Sequence, residues 1–299
     1  DTLFVPSGTT VYIDGGARVY GNIFTEGAHD VNIFGRGEVH PDGRGAGVWV
    51  RRSKNVRIDG IVVSQLPIGQ CDSVELTNVK SISYYGWGDG MDVFSSSNVI
   101  LDGVFCRNSD DCAAVYASTQ GFKGGSNNVL VKNATLWADV AHPINIGGHG
   151  DPNGMDTVQN VTFRNIDILD QAEKQVDYQG CLAINPGDNT LVRNITFENI
   201  RIEDFRNGQL VNFRISFNPK YCVSTGRGIQ NVLVKDVTYN GSGENLSIIA
   251  GYDENHKISG IRFVNLVVNG RKITDDMPGK PKWYKTGDMA GIFVGEHVE

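Results

Sequence analysis

Apolar and polar residues alternate along most of this chain in short bursts, and the bursts repeat. Asp30 opens DVNIFGRGEV, Asn55 opens NVRIDGIVV, Asn78 opens NVKSISYY and Asn98 opens NVILDGVFC. NVLVKNATL follows from Asn128, NVTFRNIDI from Asn160, NITFENIRI from Asn194, NVLVKDVTY from Asn231 and GIRFVNLVV from Gly260. Within each burst the period is two, that of a strand with one buried face. An Asn, Asp or Gly interrupts the alternation midway, where a sharp bend needs such a residue. Between bursts lies a second short apolar segment: GVWV from Gly47, SVEL from Ser73, MDVF from Met91, AAVY from Ala113, PINI from Pro143, CLAI from Cys181, LVNF from Leu210 and LSII from Leu246. No segment carries a helical period.

Nine copies at spacings of 20 to 37 residues define units too small to bury their own apolar faces. Stacking one unit on the next at ~4.8 Å buries them. A propeller would need four strands in each unit of ~40–45 residues, and a sandwich would not keep the Asn-Val register. The pattern therefore predicts an all-β fold, a single-stranded parallel β-helix of about nine coils forming one domain over residues 1–299. A right hand follows from the general rule for parallel crossovers. Asn133, Asn160, Asn194 and Asn245 each begin an Asn-x-Ser/Thr sequon. Because the repeat itself supplies this pattern, they read as stacked turn residues rather than glycan sites.

That register brings chemistry together. Aligning DGMDVF, DCAAVY and HPINIG places Asp89, Asp111 and His142 at one position of three successive coils, ~5 Å apart. Asp110 sits beside the same column, and Asp92 points the same way as Asn145. Crowded carboxylates raise one another's pKa, a cost seldom met outside functional sites. Two carboxyl groups in different surroundings separate into a proton donor and a proton acceptor, the pair that glycosidic hydrolysis requires. Trp87, Tyr116, Trp137 and Tyr178 are candidates to line a sugar groove, with Trp137 equally readable as core.

Composition narrows the partners. The 299 residues carry 27 basic and 34 acidic side chains, a net charge of −7. No basic cluster stands out, so neither nucleic acid nor an anionic membrane is expected. No run of 18 apolar residues occurs. Cys71, Cys106, Cys112, Cys181 and Cys222 form no CxxC pair, so no metal site is indicated. At most two disulfides are available, and buried thiols are the expected state of most. His142, His149 and Asp151 lack the spacing of a zinc site. GFKGGSNN lacks the strand-to-helix setting of a phosphate loop. No cofactor is expected, and the expected partner is a polysaccharide bound by a monomer. DTLFVPSG reads as a mature or trimmed start without a signal peptide, which fits a secreted or periplasmic protein.

WGDGMDV, NSDDCAAVY and AHPINIG, in that order on consecutive coils, resemble the three blocks of the polygalacturonase and dextranase group of β-helical glycoside hydrolases, families 28 and 49. The resemblance implies an inverting, metal-independent enzyme in which Asp110 protonates the leaving oxygen. Asp89 and Asp111 would then activate water, with His142 supporting them. His142, Asp92, Asn145, Trp87, Tyr116, Tyr178 and Arg214 are the expected substrate-binding residues.

The departures bear on the substrate. Polygalacturonases carry Arg-Ile-Lys on the coil after the histidine, whereas this chain reads GCLAINPG there. Arg214 comes one coil later. FENIRIEDFRNGQLVNFR, from Phe197, looks closer to the dextranase branch, whose extra N-terminal domain would be absent here. The first expectation is therefore a neutral α-glucan, dextranase-like substrate, with a polygalacturonase-type pectin hydrolase as the alternative. Two further alternatives are a polysaccharide lyase using Ca²⁺ held by Asp89, Asp92, Asp110 and Asp111, and a non-catalytic carbohydrate-binding solenoid. Whether action is endo or exo depends on how loops 147–157 and 216–228 close the groove.

Overall fold

The computed structural model describes residues 1–41, 43–243 and 245–299. Strands wind into a right-handed parallel β-helix with one eleven-stranded and one sixteen-stranded sheet. The smaller sheet begins at Thr2–Phe4 and ends at Ile292–Val294, and its strands pair in parallel. The larger sheet turns a corner. Early coils contribute two short strands to it, such as Lys54–Asp59 and Val62–Val63. From Ser126 onward the two halves fuse into single bent strands: Ser126–Ala138, Thr157–Asp170, Leu191–Ile202, Gly228–Tyr239 and Lys257–Val268. The helices described are two short 3₁₀ turns, Val176–Tyr178 and Gly287–Ala290. No helix among the described residues is long and apolar enough to cross a membrane.

Two features of the predicted repeat are corrected. The smaller sheet has eleven strands against the expected nine or so coils, because the first turn carries no Asn-Val signature and the last strand, Ile292–Val294, follows the final copy. SVEL, expected on the smaller sheet, lies on the larger one. Val74 pairs with Val56 and Val99, and the smaller sheet takes Ile68–Gly69 instead. The copy beginning at Asn78 is correspondingly the second half of that coil, since Lys80 pairs with Val62 and Phe105. Along the larger sheet, each coil from Asn55 onward has two left-handed corners. In this one Ser73 (φ 61°) takes the first and Asn78 (φ 54°) the second, whereas the coil after it has Asn98 first and Gly103 second. A signature keyed on Asn therefore locks onto the wrong corner.

Asn dominates the corners because it tolerates positive φ better than other residues bearing a Cβ. It also gains a partner on the coil before. Asn165 donates its side-chain amide to Asn133 at 2.7 Å, Asn160 to Asn127 at 2.8 Å and Asn194 to Asn160 at 3.1 Å. Three of the four sequons thus sit in corner ladders, Asn133 donating to Asp102 at 2.7 Å. Asn245 is the exception: it lies outside the ladders and donates to Gln179 at 2.9 Å.

Inside, Val and Ile from all faces form one continuous core. Phe163, Phe197 and Phe213 are fully buried in it, with ring centroids 5.9 Å apart at both steps. All five cysteines are free thiols, and all but Cys222 are buried. Phe197 packs between two aromatic neighbours that cannot collapse into its space. Phe197→Ala is expected to lower stability by about 3–5 kcal/mol, read as an earlier midpoint in urea denaturation. A loss below 1 kcal/mol would contradict this packing.

Candidate active site

The site lies on the smaller sheet, where Met91–Phe94, Ala113–Tyr116 and Ile144–Ile146 stack. Asp92 pairs with Ala114, and Ala114 with Asn145. Backbone bonds carry this register back past the strand ends. Gly90 donates to Asp111 at 2.8 Å, Met91 to Cys112 at 2.9 Å and Cys112 to His142 at 2.9 Å. Asp89, Asp111 and His142 are thereby held in one column, as the sequence alignment expects. Gly90 is required there: a Cβ would lie 2.2 Å from the Cys112 carbonyl oxygen.

One oxygen from each of Asp89, Asp110 and Asp111 lies within 4.8 Å of the others. Their surroundings differ sharply. Asp111 is 4% exposed and accepts four hydrogen bonds. The His142 backbone N–H and Nδ1 reach its Oδ1 at 3.0 and 2.7 Å. The Tyr116 hydroxyl and Asn145 amide reach its Oδ2 at 2.5 and 2.8 Å. Burial alone would push Asp111 up, but the charge of His142 and these donors outweigh it and hold the carboxyl below its ordinary range. Asp110 has one donor, the Asp111 backbone N–H at 3.1 Å. Burial, then the charges of Asp111 and Asp89, push it up to about 8. Burial and Asp111 likewise push Asp89 up to about 7. Asp92 is pushed well up by burial and by its three acidic neighbours, and its Oδ1 has no partner. The column thus holds an ionised carboxylate beside groups that keep protons.

A cleft of about 740 Å³ opens over these residues. Tyr84, Tyr85 and Trp87 line one end, with Trp87 79% exposed. Gln175, Tyr178, Lys220 and Tyr221 line the other. Beyond Trp87 a hollow of about 270 Å³ continues past Arg44 and Trp49.

Most of the predicted residues converge here, though several in a different capacity. Asp89, Asp92, Asp110, Asp111, Trp87, Tyr116 and Tyr178 line the cleft. His142 and Asn145, expected to bind substrate, are 0% and 1% exposed. They lie beneath Asp111 and orient it. Arg214 does not line the cleft; it pairs with Asp177 at 2.7 Å. Trp137 belongs neither to the groove nor to the core, since it is half-buried on the outer surface with the Arg107 guanidinium 4.3 Å from its ring centre. His142, His149 and Asp151 do not assemble a metal site, for Asp151 faces Lys123 at 3.5 Å. The Asp89, Asp110 and Asp111 oxygens are near enough for one cation to bridge; without one, two of those carboxyls favour their protonated forms. Such a set can hold and release protons.

Sequence reasoning passed over Tyr84, Tyr85, Glu173, Gln175 and Tyr221, all on the cleft. A signal existed for some. The copies after Asn98 are spaced 29 to 37 residues apart, and the extra length forms the loops that carry Glu173, Gln175 and Tyr221.

The profile of glycosyl hydrolases family 28 matches residues 48–277. A polygalacturonase of Juniperus ashei is 26% identical over 216 residues, covering 69% of this chain and 39% of that protein. An exopolygalacturonase of Cochliobolus carbonum is 26% identical over 216 residues, covering 60% and 46%. This chain therefore spans less than half the length of these curated relatives. Among solved structures, the family 28 exopolygalacturonase of Yersinia enterocolitica superposes with a TM-score of 0.70 at 14% identity, covering 89% of this chain and 63% of that one, which is a likeness of fold. With most of its length matched by that profile, the chain belongs to glycosyl hydrolases family 28.

Proposed function

We propose that this protein is an inverting glycoside hydrolase that cleaves a galacturonan-type, pectic polysaccharide. The observation carrying the hydrolase reading is the split between adjacent Asp110 and Asp111, one pushed up to about 8 and the other held low. Asp110 gives its proton to the glycosidic oxygen as the bond to the anomeric carbon breaks. Asp111, with Asp89 beside it, takes a proton from the water attacking the opposite side of the sugar. Each proton transfer has a carboxyl to perform it. The nearest oxygens are closer than in typical inverting pairs, and inversion is taken from the family resemblance. The pectic substrate is favoured by the polygalacturonases among the relatives. That evidence backs the polygalacturonase-type alternative over the dextranase-like expectation. Secretion and action as a monomer belong to the same proposal.

A neutral glucan is the second reading, and one observation favours it. Ala183 pairs with Asn145 on the coil after His142, and Asn185 follows two residues on. Neither offers the cation that family resemblance leads one to expect on that strand.

Asp110→Asn is expected to lower kcat on polygalacturonan by ~10²–10⁴-fold while leaving the circular dichroism spectrum unchanged. Near wild-type turnover would remove Asp110 from the acid role. Proton NMR of the first product anomer from the wild type is expected to show inversion, and retention would make Asp89 or Asp111 a nucleophile. Tyr116→Phe removes a donor that stabilises ionised Asp111, so the Asp111 pKa rises. The acidic limb of the kcat/KM profile should then move up by about one pH unit, the scale of one hydrogen bond to a charge. A stationary limb would separate Asp111 from the base role.

A further inference from the structure

Within the proposed pectic reading, the strand that should read a uronate carboxylate is bare, and the cleft holds a cation elsewhere. Among the described residues lining the cleft over the carboxylates, Lys220 is the one lysine or arginine. It stands on loop 216–228, at the end opposite Trp87. Its position is specified on two sides: Nζ donates to Gln175 Oε1 at 3.0 Å and lies 4.7 Å from the centre of the Tyr221 ring. Gln175 also meets the Tyr221 hydroxyl at 3.3 Å, and Tyr221 packs against Tyr178 with ring centroids 4.6 Å apart. Loop 216–228 is thus tied to the segment around Val176–Tyr178, and together they form the wall that ends the cleft. The neighbouring cation is already committed, Arg214 being paired with Asp177.

We infer that Lys220 is the specificity-determining residue for a uronate: it binds the carboxylate of a sugar seated between the Asp89, Asp110 and Asp111 cluster and the Tyr178–Tyr221 wall. The chemistry fits that place better than a role in offsetting the acidic cluster. A lysine held for charge balance would pair directly with a carboxylate, whereas the direct partners of this one are a neutral amide and an aromatic face; Glu173 and Asp110 act on it only through space, leaving ammonium protons free. The aromatic wall offers apolar surface to the face of the same sugar ring. A neutral residue at this subsite would leave Lys220 without its partner, so discrimination falls on the presence of charge.

The experiment compares oligogalacturonates with the same oligomers methyl-esterified, using wild type, Lys220→Gln and Lys220→Arg. The expected result is a roughly 10- to 100-fold fall in kcat/KM for Lys220→Gln on the free acids, mainly through KM, on the scale of one hydrogen bond to a charged group. The esterified oligomers should change less than about twofold, and Lys220→Arg should keep most of the preference for the acids. Equal losses on both substrates would mean that Lys220 acts through the charge of the aspartates, and no loss would mean that it is idle; either overturns the inference while leaving the hydrolase reading intact. A wild type that cleaves dextran oligomers but neither galacturonate series would instead overturn the pectic reading, and this inference with it.

Discussion

Backbone hydrogen bonding between successive coils is the constraint on which the rest depends. Each coil must follow the one before at the spacing of a sheet, and the bonds from Gly90 to Asp111 and from Cys112 to His142 extend that spacing past the ends of the strands. Side chains at one sequence position are thereby stacked whether or not they repel. Placing Asp89 against Asp111 is costly, and the structure offsets the cost locally. His142, Asn145 and Tyr116 surround one carboxylate with donors. Asp89, Asp92 and Asp110 are driven toward their neutral forms instead. The raised and the lowered carboxyl are two consequences of a single stacking geometry.

The part of this that was legible in the sequence is the part that repeats. Alternation at period two and recurring Asn at the corners marked the solenoid, and register placed Asp89, Asp111 and His142 in one column. Misreading began where one corner residue replaced another: Ser73 for Asn shifted a coil by half a turn, because Ser, Asn and Gly all occupy the left-handed corner. Burial depth was illegible. His142 and Asn145 are on the correct face, yet the cleft floor is Asp111, and whether a side chain on that face touches substrate or supports another residue depends on how far each coil protrudes. Loop 216–228 was legible as a groove edge, but which of its residues meet the cleft was not. Lys220, Tyr221 and Gln175 lie in irregular segments that carry no period, and nothing local to them shows that they meet across consecutive coils.

Charge distribution also separates this site from a passive groove. The molecule is net negative, and its cleft concentrates acid at the centre with Lys220 at one end and Arg44 in the hollow beyond the other. A polyanion approaching such a surface is repelled in general and guided at two points. At a cleft of this shape, ionic strength bears on entry more than on the bond-breaking step, since the buried aspartates are screened little by salt.

The central claim is that stacking divides Asp110 and Asp111 into a protonated acid and an ionised base. Carbon-13 NMR titration of the aspartate carboxyl groups tests it most directly, with the two signals assigned through Asp110→Asn and Asp111→Asn. The account predicts an Asp110 midpoint well above the ordinary range, toward the value of about 8 that its burial imposes, and an Asp111 midpoint below it. Midpoints in the reverse order, or both in the ordinary range of a solvated aspartate, would contradict it.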